Sequence, residues 1–106
     1  MPIDRKRVDK AYVVYERATS QLAETVSIFL SRCSDKMFSK KEIMDEIKDS
    51  LTWQCLFSDF HGTEFVSLGI RPSEIMSAVL AKLLVRGSII SRTIRGSEYY
   101  GIRNTG

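Results

Sequence analysis

The residues from 71 to 103 constrain the fold most strongly, because a helix pattern, a glycine and two β-rich runs follow one another directly. Apolar residues recur in this stretch at the spacing of one helix face: Met76, Val79, Leu80, Leu83 and Leu84. Pro72 suits the first turn of a helix, and Gly87 suits its end, since glycine takes the left-handed conformation without a Cβ penalty. We predict a helix over about residues 73–86 that leads straight into a β-hairpin.

The predicted hairpin consists of two runs, from Ser88 to Ile94 and from Glu98 to Arg103. Between them, Arg95-Gly96-Ser97 supplies the glycine that a tight turn favours. From residue 71 onward the chain has six basic and two acidic residues, whereas the preceding seventy residues have ten basic and eleven acidic ones. Positive charge is therefore concentrated on the helix and hairpin, as expected for a surface that meets an anionic partner.

The longest periodic pattern covers residues 4–33 and predicts one long helix. Its apolar residues fall on a single stripe: Val8, Ala11, Tyr15, Ala18, Leu22, Val26, Phe29 and Cys33. Such a helix would be about 45 Å long, so part of it should project from a domain of this size. Further apolar residues lie off the stripe, which favours a second contact. We interpret the segment as a dimerisation helix with Val8, Tyr12, Val13 and Tyr15 in the interface; the alternative is that the tail of the helix folds back over its own domain.

A second helix is predicted to begin at residue 40. Ser39 and Glu42 have the spacing of a capping box, and Met37-Phe38 before them reads as a short extended segment. The predicted apolar face consists of Ile43, Met44, Ile47 and Leu51. Residues 50–71 are less regular. Their many large apolar side chains predict burial: Leu51, Trp53, Cys55, Leu56, Phe57 and Phe60. They either extend this helix or form a separate one, before a loop from Thr63 to Ile70.

Length, charge and residue counts argue against several classes of protein. A length of 106 residues predicts a single domain over residues 1–106. Glu16, Arg17 and Glu24 interrupt the apolar stretch that follows the basic N-terminus, so we predict neither a signal peptide nor a membrane span. We expect a cytoplasmic protein. Two cysteines and one histidine are too few for a zinc site, and Cys33 and Cys55 read as reduced core thiols. His61 has no partner fixed by spacing, and we predict no enzyme, no metal and no cofactor.

The order of these elements resembles the winged helix-turn-helix domain of small bacterial and archaeal transcription regulators, within a mainly α fold that carries a small β-hairpin. The family's pattern on its recognition helix and first wing strand is matched by Met76, Leu80, Leu83, Gly87 and Ile89. Phe38-Ser39 looks like the lead into the family's second helix, and the segment 99–102 looks like its last wing strand. The resemblance covers residues 37–103, after the long helix at 4–33, and the connection of about twenty residues between the motif's two helices predicts an inserted element.

The resemblance implies that the predicted helix enters the major groove of DNA while the wing, 88–103, reaches the backbone or minor groove. The residues that would face the bases are Ser73, Glu74, Ser77, Ala78, Ala81 and Lys82. The serines would donate to phosphates or base edges, Ala78 would touch a thymine methyl, and Lys82 would reach a phosphate or a guanine. Arg71, Arg92 and Arg95 would anchor the backbone, with Ser97 at the wing tip.

We therefore expect a sequence-specific, homodimeric regulator of transcription that binds double-stranded DNA. The alternative is a winged-helix module that binds another protein and has no specific DNA binding. It is favoured by the outward side of the predicted helix, where Glu74, Ala78, Ala81 and Val85 form a small, apolar and partly acidic surface that would equally receive another helix.

Overall fold

The computed structural model describes residues 4–58 and 69–103, with only the backbone described for residues 55–58. The chain is mainly helical with one antiparallel hairpin, as predicted. Its helices are α1 (Arg5–Arg32), α2 (Lys40–Ile47), α3 (Leu51–Ser58) and α4 (Pro72–Arg86), and its strands are β1 (Ile89–Ile94) and β2 (Ser97–Ile102). Within these ranges, no helix has the length and apolar character needed to cross a membrane.

The hydrophobic core lies where α1 packs against α4, with α2 and the hairpin closing the remaining sides. The largest fully buried side chains are Leu22, Val26, Leu30, Ile43, Ile75, Met76, Val79, Leu80 and Ile89. Each contributes about 1.5–3 kcal/mol through removal of apolar surface from water. The predicted apolar face of α4 is confirmed, since four of its five residues are buried and Leu84 packs against the core.

α1 is buried along its second half and exposed at its start. Ala18, Leu22 and Val26 of the predicted stripe lie in the core, whereas residues 5–10 are all exposed. The molecule is correspondingly elongated, with extents of 47 × 27 × 23 Å. The predicted projection of this helix is confirmed. Cys33 is half-buried at the end of α1 and does not belong to the core cluster, which corrects the prediction of a core thiol there.

α2 begins with the predicted capping box. The Glu42 N–H donates to Ser39 Oγ at 3.2 Å, and the Ser39 N–H donates to Glu42 Oε1 at 2.9 Å. The backbone hydrogen bond, followed by the one to the serine side chain, lowers the pKa of the Glu42 carboxyl. Both orphan N–H groups of this helix end are therefore satisfied within the chain.

The predicted apolar face of α2 extends too far. α2 ends at Ile47, and Ser50 lies directly before α3, its Oγ accepting the Trp53 N–H at 3.2 Å. The intervening turn changes the phase of the helical pattern, so Leu51 is 75% exposed instead of buried. Trp53 packs partly against the core, and α3 is the inserted element that the long connection predicts. The expectations for the side chains of residues 55–57 and for Phe60, His61 and 63–68 lie outside the described part of the chain.

α4 ends at Gly87 as predicted. Gly87 has a φ of 75°, a left-handed conformation that favours glycine, and the N–H groups of Gly87 and Ser88 donate to the carbonyls of Leu84 and Leu83 at 3.0 Å each. This termination redirects the chain into β1 within two residues, so the position of the hairpin is fixed by the end of α4.

The hairpin has a tighter turn than the sequence predicts. The register runs from Ile89 opposite Ile102 to Ile94 opposite Ser97, which leaves only Arg95 and Gly96 in the turn. Both have positive φ, 53° and 80°, the geometry of a two-residue turn whose twist matches that of the flanking strands. Ser97 therefore belongs to β2, and the prediction that it lies at the tip is wrong by one residue.

The segment before α2 pairs with the hairpin. The Phe38 N–H donates to the Tyr100 carbonyl at 2.8 Å, and the Tyr100 N–H donates to the Phe38 carbonyl at 2.7 Å. β2 therefore lies between β1 and Phe38, and the predicted extended segment is confirmed. A Cβ at Gly101 would lie 3.0 Å from Met37 Cγ and 3.3 Å from the Lys36 carbonyl oxygen, so glycine permits this close approach.

Candidate nucleic-acid interface

One side of α4 is turned away from the core and carries most of the predicted base-facing residues. We call it the α4 ridge, formed by Glu74, Ser77, Ala78, Ala81 and Val85. Glu74, Ala78, Ala81 and Val85 recur every three or four residues and so follow one line along the helix, with Ser77 next to it. Ala78 is half-buried, the other four are exposed, and Val85 is the most open with 89% of its surface accessible. None of the ridge residues carries a positive charge.

A groove of about 480 Å³ separates the ridge from the hairpin. Its lining residues come from α2, α4 and β2: Lys40, Ser77, Leu80, Ala81, Leu84, Glu98 and Tyr100. Glu98 and Tyr100 alternate along β2 and therefore share the face that looks toward α4. Arg92 pairs with Tyr99, which places it on the opposite face of the hairpin, with Arg95 exposed in the turn.

Ser77 is held by a lysine from another helix. Lys40 Nζ donates to Ser77 Oγ at 3.1 Å, and Ser77 Oγ donates to the Ser73 carbonyl at 3.0 Å. Ser73 itself is half-buried at the start of α4. The contact places the first residue of α2 beside the first half of α4, and Lys41 is exposed next to it. The contact of Lys40 with Ser77 was not predicted, because no local sequence pattern reveals a contact between residues 37 positions apart.

The hairpin side of the groove contains a neutral tyrosine hydrogen-bonded to a carboxylate. The Tyr100 hydroxyl donates to Glu98 Oε2. Burial of the ring, followed by the hydrogen bond to Glu98 and the charge of that carboxylate, raises the pKa of Tyr100 to about 12. Tyr100 is therefore protonated at neutral pH, and Glu98 places one negative charge in the groove.

Lys82 does not join the other predicted base-facing residues. Its Nζ donates to Glu16 Oε2 at 3.4 Å and to Ser20 Oγ at 3.3 Å, and both of these residues lie on α1. One residue along a helix turns by about 100°, so Lys82 faces α1 while its neighbour Ala81 faces solvent. The structure thus brings Ser77, Ala78 and Ala81 together and leaves Lys82 on the opposite flank.

Exposed basic residues lie at the start of α4 and on the hairpin. Arg71 is the N-cap residue of α4, and Glu74 Oε2 accepts its backbone N–H at 3.3 Å. Arg92 and Arg95 are exposed on the hairpin, where Arg92 Nη1 donates to the Ser91 carbonyl at 2.8 Å. With Lys40 and Lys41 on α2, cations are present on the helical side of a ridge that has none itself, whereas Arg92 lies on the hairpin face turned away from α4.

The predicted dimer residues lie on the projecting part of α1. Tyr12 and Val13 are 60% and 59% exposed, Val8 is also exposed and Tyr15 is half-buried. An apolar depression of about 240 Å³ is lined by Val8, Ala11, Tyr12, Tyr15 and Ile70. Burial, with smaller effects from the carboxylates of Glu16 and Glu74, raises the pKa of Tyr15.

No protein-family model, curated protein or solved structure was found to match the chain.

Proposed function

We propose that the protein is a winged helix-turn-helix regulator that binds double-stranded DNA, with α4 in the major groove and the hairpin against the adjacent backbone or minor groove. The order of elements supports this fold, as does the pairing of Phe38 with Tyr100, which adds a third strand position to the wing. The observation that carries the proposal is the position of α4: its ridge is open to solvent, and Lys40 of α2 reaches it at Ser77.

The dimensions of α4 suit this role. An α-helix with its side chains is about 10–12 Å across, and the major groove is about 12 Å wide. Small side chains such as Ser77, Ala78 and Ala81 allow the helix backbone to approach the bases closely. Lys40, Lys41, Arg71, Arg92 and Arg95 would contact phosphates, which fix the position of a protein on DNA without reading its sequence.

Binding measured against salt concentration tests the proposal. Each neutralised phosphate contributes about −0.9 to the slope of log affinity against log salt, so Arg92→Ala with Arg95→Ala should reduce the slope by about 2 units. The control is Arg5→Ala with Arg17→Ala, two exposed residues of α1 whose loss changes the net charge equally. Duplex affinity that does not respond to salt, or that falls equally in both double variants, would refute the proposal.

We also propose that the protein binds DNA as a homodimer through the start of α1. The exposed Val8, Tyr12 and Val13 on a projecting helix support this arrangement, because a symmetric pair covers the same patch on both copies. Sedimentation equilibrium should give a dimer that becomes monomeric on Tyr12→Glu. Ile28→Glu, at another exposed apolar position of α1, is the control and should remain dimeric. A wild-type monomer would contradict this part of the proposal.

A second candidate function is supported by the composition of the ridge. Val85 is almost fully exposed and Lys82 is turned toward α1, so the ridge would also suit an apolar partner helix. In that case a protein partner should co-purify and be lost on Ala81→Glu or Val85→Glu, while duplex binding would be weak and independent of sequence.

A further inference from the structure

The α4 ridge offers DNA very few free hydrogen-bonding groups. Ser77 Oγ is already hydrogen-bonded to Lys40 and to the Ser73 carbonyl, and the Glu74 carboxylate accepts the Arg71 N–H. Lys82, the basic residue of the middle of α4, is engaged by Glu16 and Ser20. The ridge side chains that carry no polar atom are the exposed Ala81 and Val85 and the half-buried Ala78, and these present methyl groups beside the exposed Glu74 and Ser77.

These side chains match one feature of the major groove. Guanine is normally read by Arg or Lys and adenine by Asn or Gln, and none of these residue types lies on the ridge. Thymine alone presents an apolar group on its major-groove edge, its 5-methyl, which small apolar side chains contact. Resting on the proposed DNA binding, we infer that α4 recognises thymine methyl groups, so the preferred ligand is a thymine-rich duplex read by apolar contact.

The spacing of the ridge is compatible with this contact. Ala81 and Val85 are one helical turn apart, about 6 Å along the axis, while successive bases on one strand are about 3.4 Å apart. An α4 that follows the groove therefore places two methyl-bearing side chains over bases that are about two steps apart. The flanking cations supply the phosphate contacts that hold the helix there, and they favour a polyanion over an apolar protein helix as the occupant.

Removing the thymine methyl tests the inference directly. Affinity for a thymine-rich duplex is compared with affinity for the same duplex containing deoxyuridine, which keeps every hydrogen-bonding group and lacks only the 5-methyl. Since burying one methyl is worth about a fourfold change in affinity, loss of two contacts should weaken binding by about fifteenfold. Replacing cytosine by 5-methylcytosine in a G·C duplex, which restores a methyl at the same edge, should strengthen binding.

A protein variant shows whether the ridge causes the difference. Val85→Ala removes exposed methyl groups without touching the core, and it should reduce the thymine-to-deoxyuridine ratio to a few-fold. Ile28→Val, an equally conservative change at an exposed site of α1 outside the proposed dimer interface, should leave the ratio unchanged. Both variants keep the net charge, so their salt slopes should equal that of the wild type.

The outcomes separate the inference from the proposed function. Salt-dependent duplex binding with equal affinity for thymine and deoxyuridine would overturn the thymine inference and leave DNA binding standing. A full thymine preference that survives Val85→Ala would also overturn it, because another surface would then be the reader. Absence of binding to any duplex, or binding only of a protein partner at Val85, would overturn both.

Discussion

The two flanks of α4 differ in where their lysine comes from and in the direction that it points. On the α1 flank, Lys82 belongs to α4 and is turned away from the ridge, toward Glu16 and Ser20. On the other flank, Lys40 comes from α2 and reaches the ridge at Ser77. The charge next to the candidate interface is therefore supplied by a neighbouring helix, and the helix's own lysine serves its attachment to α1. The sequence pattern of α4 alone gives neither the contact of Lys40 nor that of Lys82, because both contacts join two helices.

The largest expected effect comes from disrupting the contact between β2 and the segment that precedes α2. Gly101→Val would place a branched side chain against Met37 and the Lys36 carbonyl, and overpacking of this kind costs about 2 kcal/mol of unfolding free energy. Ser97→Val, on the same outer face of β2 but exposed, is the control and should change stability by less than about 0.5 kcal/mol. Urea denaturation measures both; equal values would mean that the close approach is not structurally required.

Charge substitution on the two flanks should separate them functionally. Lys40→Glu should weaken duplex binding by about tenfold, since it removes one phosphate contact and adds a repulsive charge. Lys82→Met, which keeps most of the aliphatic stem, should leave affinity within about twofold, because its ammonium group is already paired with α1. Fluorescence anisotropy with a labelled duplex measures both, and a larger loss for Lys82→Met would reverse the assignment of the two flanks.

The hairpin flank should also be sensitive to alkaline pH. The pKa of Tyr100 is raised to about 12 from an ordinary value of 10.0, so its contribution to stability is present below pH 10 and is lost as pH rises toward 12. Tyr100→Phe should cost about 1 kcal/mol at neutral pH, and this difference should disappear by about pH 12. Denaturant midpoints at several pH values test this, and a constant difference would disprove the linkage.

The smallest effect is expected on the α1 flank. Glu16 and Lys82 are only partly buried, and ion pairs of this kind contribute about 0.5 kcal/mol. A double-mutant cycle with Glu16→Gln and Lys82→Met should give a coupling energy of that size, decreasing with added salt. A coupling above about 2 kcal/mol would show that this flank is held mainly by charge.

The local parts of the fold could be predicted from the sequence because each is determined by nearby residues. The capping box at Ser39 and Glu42, the left-handed Gly87 and the apolar face of α4 all depend on residues a few positions apart. The position of Leu51 could not be predicted, because a three-residue interruption before α3 shifts the helical phase without a strong sequence signal.

The candidate site could be predicted only in part. Ser77, Ala78 and Ala81 share a face by helical geometry alone, whereas the partners of Lys40 and Lys82 depend on how α1 and α2 pack against α4. The groove between α4 and β2 is a tertiary feature of the same kind. Glu98 and Tyr100 share a face of β2 because side chains alternate along a strand, whereas the turn was predicted with three residues and has two.

The pairing of Phe38 with Tyr100 has a consequence for biosynthesis. Tyr100 lies close to the carboxyl end of the described chain, so α2 cannot take its final position beside the hairpin until almost all of these residues have emerged from the ribosome. Contacts so distant in the chain also close slowly. Nascent fragments that stop before β2 would leave Phe38 without its backbone partner, and the surface carrying Lys40 would be among the last of the described residues to take its final position.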